Sequence, residues 1–447
     1  GTQNTAVGRL ALYANTTGSY HVAMGYGTLD ANVQGNGSVA IGFDALSTST
    51  ESNYQVAIGF EALKSCSSTG TANVMVGYRC GHNLTIGDDN VAIGYAAMYS
   101  ITEASKNVAI GRDALYSNTD SGVLNVAVGY AALLANTAGD NNVAVGGNAL
   151  DSNTTASNNT GIGANALATN TTGERNTAVG TNSLDANTTA NDNTGIGFAA
   201  LGENTTGYSN TAVGAYVLDA NTTGIENTSL GYNSLSDNTT GNNNTAVGKN
   251  ALMDSTTADN NTAIGLGAGR AVTTGSNNAF LGYNTGTASS PSGNITTQSN
   301  YVVLGDDNIA NLMCADTSIS SSDERDKTDI EDFNHGLSWI TKLRPVTYRW
   351  DKRSWYNDDP NTPLDESVRD GSKKTSPLHI GFLAQEHLEV EKAHGFGDGR
   401  DNMIITNLTE DGERYGMKYE RLVPVLVNAI KELKAENDEL RSLIKDS

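Results

Sequence analysis

Asn176-Thr177-Ala178-Val179-Gly180-Thr181-Asn182-Ser183-Leu184-Asp185-Ala186-Asn187-Thr188-Thr189-Ala190-Asn191-Asp192 is one turn of the pattern that decides the fold. The motif N-T-A-V-G-x-x-A-L-x-x-N-T-T-G recurs from Gly8 to Gly282, and these anchor glycines define sixteen successive intervals. Fourteen intervals are 17 residues long, and two, Gly59 to Gly77 and Gly111 to Gly129, are 18. In each unit the apolar residues fall in two short bursts, as in Ala178-Val179 before Gly180 and Ser183-Leu184 after it. Such bursts are too short for helices, and Asn, Thr and Gly supply the corners between them. A fixed short period of this kind predicts a parallel β-solenoid, one coil per unit. Seventeen coils stacked at the strand spacing of about 4.8 Å make a rod of about 80 Å.

Composition agrees. Gly is 49 of 447 residues, aromatics are 6% and charged residues 17%, below the roughly 25% of an ordinary soluble domain. A large globular enzyme is a poor fit to such a chain. The net charge of −22 has the wrong sign for neutralising phosphates, so nucleic acid is excluded as a partner through bulk charge. No apolar run approaches the roughly 18 residues that span a bilayer, and no signal peptide opens the sequence, so no membrane insertion is expected. Cys66, Cys80 and Cys314 are odd in number and widely spaced, which argues for free thiols and against a disulfide scaffold or zinc. No metal or cofactor is expected. The repeat is already under way at residue 4, so an attachment region is expected upstream of it.

Each coil offers about four inward side chains, two of them often Ala, a thin core for so long a rod. A three-fold bundle, hence a homotrimer, is the simplest remedy. Asn176, Asn193, Asn210, Asn227 and Asn244 before the strand burst, and Asn170, Asn187, Asn204, Asn221 and Asn238 after the second burst, are expected to stack in two ladders that satisfy buried amides. The N-x-T triplets and Thr pairs follow from the same corner. This region resembles the head repeats of trimeric bacterial adhesins, with their S-V-A-I-G core, and the repeats of phage tail-fibre shafts. The adhesin repeat is shorter, so only the architecture carries over.

A second composition begins after residue 305. Residues 1–305 hold 8 Lys+Arg and 20 Asp+Glu, whereas residues 306–447 hold 19 and 29, with all three tryptophans and five of the six prolines. Four motifs occur there in order: Ser320-Ser321-Ser322-Asp323-Glu324-Arg325-Asp326-Lys327, Leu343-Arg344-Pro345-Val346-Thr347-Tyr348-Arg349-Trp350, His379-Ile380-Gly381-Phe382-Leu383-Ala384-Gln385-Glu386, and Met417-Lys418-Tyr419-Glu420-Arg421-Leu422. In these residues the segment resembles the intramolecular chaperone, auto-processing domain at the C-terminus of phage endosialidases, tail fibres and neck appendages. At the end, Val423, Ile430, Asn437 and Ile444 fall at heptad position a, and Leu426, Leu433 and Leu440 at d, the pattern of a trimerising coiled coil. A helix docked on its own domain is the competing reading. The expected organisation is a mainly β chain: solenoid shaft 1–290, cap and linker 291–321, a small α+β chaperone domain 322–417, and a coiled-coil helix 418–447.

The resemblance implies self-cleavage of the Ser321–Ser322 bond by a Ser322–Lys327 dyad. A partly desolvated Lys is a competent general base for a Ser hydroxyl, and Ser322 Oγ reaches the preceding carbonyl through a five-membered ring, leaving an ester for water to cut. Arg325 or turn amides would stabilise the oxyanion, and Asp323 would shape the turn or hold Arg325. Ser321 remains an alternative nucleophile. Gln385 and Glu386 read equally as packing, trimer-contact or catalytic residues, and His379 as a structural histidine.

Repeat, resemblance and heptads together imply a homotrimeric phage tail fibre or appendage. Its C-terminal domain would align three chains and then release itself as a single-turnover serine peptidase with no substrate in trans. The implied setting is the virion tail, assembled in host cytoplasm beside other tail proteins. The runner-up is an adhesin or polysaccharide-binding tailspike that meets a host-surface glycan or receptor and keeps its C-terminal domain as the tip. A depolymerase asks for clustered carboxylates and aromatic platforms, which the Trp-free shaft does not offer.

Overall fold

A computed structural model describes residues 1–67, 70–118, 122–309, 327–356, 369–409, 412 and 414–445. Contacts divide the chain into two units: Gly1–Tyr283 with Thr296–Val302, and Asn284–Ile295 with Val303–Ser447.

The first unit is the expected solenoid. Three-residue strands run from β1 (Thr5–Val7) through β11 (Thr177–Val179) and β12 (Thr194–Ile196) to β17 (Ala279–Leu281), and β18 (Val302–Leu304) follows. Each pairs in parallel with the strand one coil away, and the register is set by the repeat: Thr177 faces Thr194, Ala178 faces Gly195, and Val179 faces Ile196. The middle residue of a strand points inward. Ala178 is fully buried, while the residues on either side of it are not. The inward set is completed by Ser183 or Ala, by Leu184, and by two asparagines, all buried.

Both asparagine ladders form. In the first, the backbone N–H of Asn193 donates to Asn176 Oδ1 (3.0 Å), and Asn176 Nδ2 donates to the Ala190 carbonyl (2.8 Å). In the second, Asn187 Nδ2 donates to Asn170 Oδ1 (2.9 Å), an amide-to-amide step repeated up the rod. These bonds let a small-residue core bury polar groups without the cost of unpaired ones.

The turn after the anchor glycine carries the backbone strain. Asn182 and Leu184 sit at φ 55° and 53°, a region unfavourable for a side chain such as Leu. That conformation lets Asn182 N donate to Ala164 O in the previous coil (3.0 Å) and Leu184 N to Ala200 O in the next (3.0 Å). The two 18-residue coils place their extra residue between Cys66 and Gly70, and between Asn118 and Gly122, away from the strands. Pairing of Val56 with Val74 and of Val108 with Val126 is accordingly unbroken. Cys66 and Cys80 replace inward residues of the repeat; both are buried and free, and burial pushes both thiols up to about 12. In the last coil the partner spacing widens from 17 to 23 residues, as between Asn278 Oδ1 and Tyr301 N (2.9 Å). The additional residues belong to Asn284–Ile295 of the second unit.

One column on the shaft carries like charge. Asp185, Glu203, Asp219, Asp237 and Asp254 recur at nearly the same place in successive coils. Partial burial raises the carboxyls of Asp185, Asp219 and Asp254 above their usual value, and repulsion from Glu203 and Asp237 adds to it. A carboxyl with a raised folded value binds its proton more tightly folded than unfolded, so stability falls as pH rises through that window, just above about pH 4. The shaft is therefore expected to resist guanidinium better at about pH 4 than at pH 7, and Asp219→Asn with Asp254→Asn should shrink that difference. An equal midpoint at the two pH values would contradict the repulsive column.

The second unit holds α1 (Leu337–Ile340), α2 (Ala384–Ala393) and α3 (Leu422–Lys445) with two antiparallel strand pairs. Strand β19 (Val346–Tyr348) pairs antiparallel with β20 (His379–Gly381), and β21 (Thr406–Leu408) with β22 (Tyr415–Met417). The core is Trp339, Val390, Ile405, Leu422 and Val425, with Phe333, Ile340, Leu343, Phe382, Phe396, Ile404 and Met417 packed around it. The chain is thus mainly β, a parallel solenoid of 17-residue coils followed by a small α+β domain with a C-terminal helix of 24 residues.

Candidate functional site

Of the residues expected at the scission site, Ser321, Ser322, Asp323 and Arg325 lie outside the described residues. Lys327 is described and is exposed. A Lys acting as general base is favoured by neighbours that cover it.

Three of the four motifs meet in space. Arg344 of the L-R-P-V-T-Y-R-W stretch pairs with Glu386 of G-F-L-A-Q-E, Nε donating to Oε2 at 3.0 Å, which holds the Glu386 carboxyl below its usual value. This makes Glu386 a strut between motifs. The Phe382 N–H donates to the hydroxyl of Tyr419 (3.1 Å), from the M-K-Y-E-R-L stretch. A Cβ on Gly381 would stand 2.6 Å from that hydroxyl, so the glycine is what lets the motifs close. His379 faces Tyr348 across the β19–β20 pair, with ring centroids 5.5 Å apart, a packing position.

Beneath them lies a buried polar cluster that sequence reasoning missed. Glu391 is fully buried. Its Oε1 accepts the backbone N–H groups of Thr406 (2.6 Å) and Ile405 (2.9 Å), and its Oε2 that of Ile404 (3.3 Å). His387, one helical turn earlier, has Nδ1 3.4 Å from Oε1, and its Nε2 accepts from Trp339 Nε1 (3.4 Å). Burial alone pushes Glu391 up; the hydrogen bonds from His387, Thr406 and Ile405 outweigh it and hold the carboxyl below its usual value. The His-x-x-x-Glu spacing on an amphipathic helix was the available signal.

Helix α3 has two different faces. Leu422, Val425 and Ala429 are buried against the domain, and Glu432 Oε2 accepts the Leu337 N–H at the start of α1 (2.6 Å). The heptad residues Val423, Leu426, Ile430, Leu433, Leu440 and Ile444 are exposed, by 44% at Leu426 and 72% at Ile444. Docking on the domain and a heptad stripe coexist because they use different residues.

The shaft has its own uncovered apolar surface. Strand ends such as Ile93, Ile162, Ile196, Leu230 and Ile264 are exposed at the same position of their coils. Next to the anchor glycines, Tyr26, Phe43, Phe60, Tyr78 and Tyr95 stack with centroids 5.0–5.4 Å apart, and the guanidinium of Arg79 lies 5.3 Å from the Tyr78 ring centre. Within that column each ring face is covered by the coil above or below, so the column shows edges.

A repeat shaft with a small, separately packed C-terminal unit ending in an amphipathic helix defines the class of chain. Residues 322–396 match the model of a peptidase family described as the chaperone of endosialidase. Together with the solenoid, this match fits an endosialidase-type phage tail fibre with a C-terminal chaperone domain. The match begins within the first motif, at Ser322, takes in the second and third, and stops before Met417-Lys418-Tyr419. No curated protein and no solved structure is significantly similar to the chain.

Proposed function

We propose that the C-terminal domain aligns three copies of this chain through α3, fixes the register of their shafts, and then cuts itself off at Ser321–Ser322. The observation that carries this reading is the family match, which begins at Ser322, the residue on the far side of that bond. The exposed heptad stripe supports the trimer, as does an apolar shaft surface with the period of the coil, which a second shaft in register can cover along its length. Such a repeat is nearly degenerate under a one-coil slip, and a device that joins the chains at one end removes that trap.

In the proposed reaction Ser322 Oγ attacks the Ser321 carbonyl carbon as its proton passes to the Lys327 amine. The Ser321–Ser322 C–N bond breaks, the freed amine takes the proton, and the resulting ester is hydrolysed by water. Products are a Ser321 carboxylate and a domain beginning with the Ser322 amine. Packing of three chains around the junction would supply the desolvation that favours Lys327 as a base, which orders cleavage after alignment. Arg325 and Asp323 serve the oxyanion and the turn.

Intact mass under denaturing conditions tests this. The wild type should lose residues 322–447 from its 46.6 kDa, with a new N-terminus at Ser322. Ser322→Ala and Lys327→Ala should each remain uncut, a loss of orders of magnitude in rate, and still sediment as trimers. Monomeric variants would contradict the separation of assembly from cleavage, and an uncut wild type would overturn the peptidase assignment.

A further inference from the structure

Asp307 lies upstream of the proposed scission, on the shaft side, yet its charge is buried among groups from downstream of it. Its side chain is 4% exposed, and Oδ1 accepts from Arg414 Nη1 at 2.7 Å. The other guanidinium nitrogen, Nη2, donates to the carbonyl oxygen of Ala288. Lys352 Nζ donates to the Asp307 backbone carbonyl (2.6 Å) and stands 3.9 Å from its carboxylate. The same ammonium lies 5.2 Å from the ring centre of Trp350 and 5.6 Å from that of Trp355. Asp307 N donates to Ser289 O (2.8 Å), and Asp306 binds Asn308 through both carboxylate oxygens, so the acidic turn is held in shape from its own side. Residues 284–295 and 303–309 accordingly pack as part of the second unit, although scission at Ser321–Ser322 would leave them on the shaft fragment.

We propose that Arg414 and Lys352 form a receptor for the acidic Asp306–Asp307 turn, an ion clasp that keeps the chaperone domain bound to the shaft after the peptide bond is cut. Scission and release are then separate events, and release requires breaking the clasp. The inference rests on the cleavage reading for its biological sense and on this geometry alone for its physics. Buried, hydrogen-bonded charge pairs act mainly on dissociation rate, and removing one partner strands the other without solvent or counter-charge. A free shaft end would present Asp306 and Asp307, while a free domain would expose Arg414, Lys352 and the two tryptophan faces.

The test cuts the chain independently of its own chemistry. A recognition sequence for a site-specific protease is inserted after Cys314 in a Ser322→Ala background. After digestion, which denaturing mass verifies, native gel filtration asks whether the domain fragment travels with the shaft. Co-elution is expected for the parent, and separation, with a changed Trp emission, for Asp307→Asn and for Arg414→Ala. Asp307→Asn lies on the shaft side, so its effect does not depend on the domain folding around a new residue. Immediate separation of the parent fragment, or co-elution of both variants, overturns the clasp. Failure of the wild type to cut itself would sink the cleavage reading and leave this result standing.

Discussion

Gly180→Ala is expected to break the shaft at one coil. The anchor glycine has φ 137°, which an L side chain rarely adopts, and an added Cβ would lie 2.2 Å from the Gly197 carbonyl oxygen of the next coil. Neither problem can relax alone, because the Gly180 N–H is tied to Ile162 O (2.7 Å) and the Gly197 N–H to Val179 O (2.8 Å). Backbone strain of about 1–3 kcal/mol combined with a displaced stacking layer gives a local loss of about 3–5 kcal/mol. Coils contact only their neighbours, so the rod should open around residue 180 while distant coils persist. Limited proteolysis should show a new cut there. Gly202→Ala is the control: its Cβ would meet nothing nearer than Ala199 O at 3.4 Å, and its stability should be unchanged within about 0.5 kcal/mol. Equal behaviour of the two variants would contradict the stacking role of the anchor column.

The fold was legible because the repeat states its register outright: an interval of 17 between Gly180 and Gly197 is also the pairing of Thr177 with Thr194. The asparagine ladders were legible for the same reason. Which strand residues face inward was not, since Ala178 and Val179 are both apolar and only the three-residue strand geometry selects Ala178. The positive φ of Leu184 was hidden as well, because nothing in local propensity favours it; inter-coil hydrogen bonds impose it. In the second unit the heptads of α3 were readable, whereas the buried face of that helix depends on α1 packing against Ala429 and Glu432. Arg414 and Asp307 are 107 residues apart, and Glu391 gathers amides from 13 to 15 residues away. Such long-range polar contacts leave no periodic trace in one sequence.

Glu391→Ala is expected to unfold the chaperone domain. The substitution leaves the N–H groups of Ile404, Ile405 and Thr406 buried without their acceptor and strips His387 of its carboxylate neighbour. Removing one partner of a buried charged network costs about 3–5 kcal/mol, comparable to the whole stability of a small domain at about 5–15 kcal/mol. Glu391→Gln keeps an acceptor oxygen and should lose about 1–2 kcal/mol. The same carboxylate gives the domain an acid response opposite to that of the shaft. Its folded value is depressed, so its contribution is complete above the ordinary Glu value of about 4.3 and is lost as pH falls through the folded value. The shaft aspartates, with raised values, favour folding as pH drops toward about 4. All three tryptophans lie in the C-terminal domain, so Trp emission follows that domain while far-ultraviolet dichroism is dominated by the coils. On acidification below about pH 4, Trp emission should change first with the coil signal intact. Glu391→Gln should make the acid Trp transition shallower. An identical transition in Glu391→Gln and wild type would remove Glu391 as its origin.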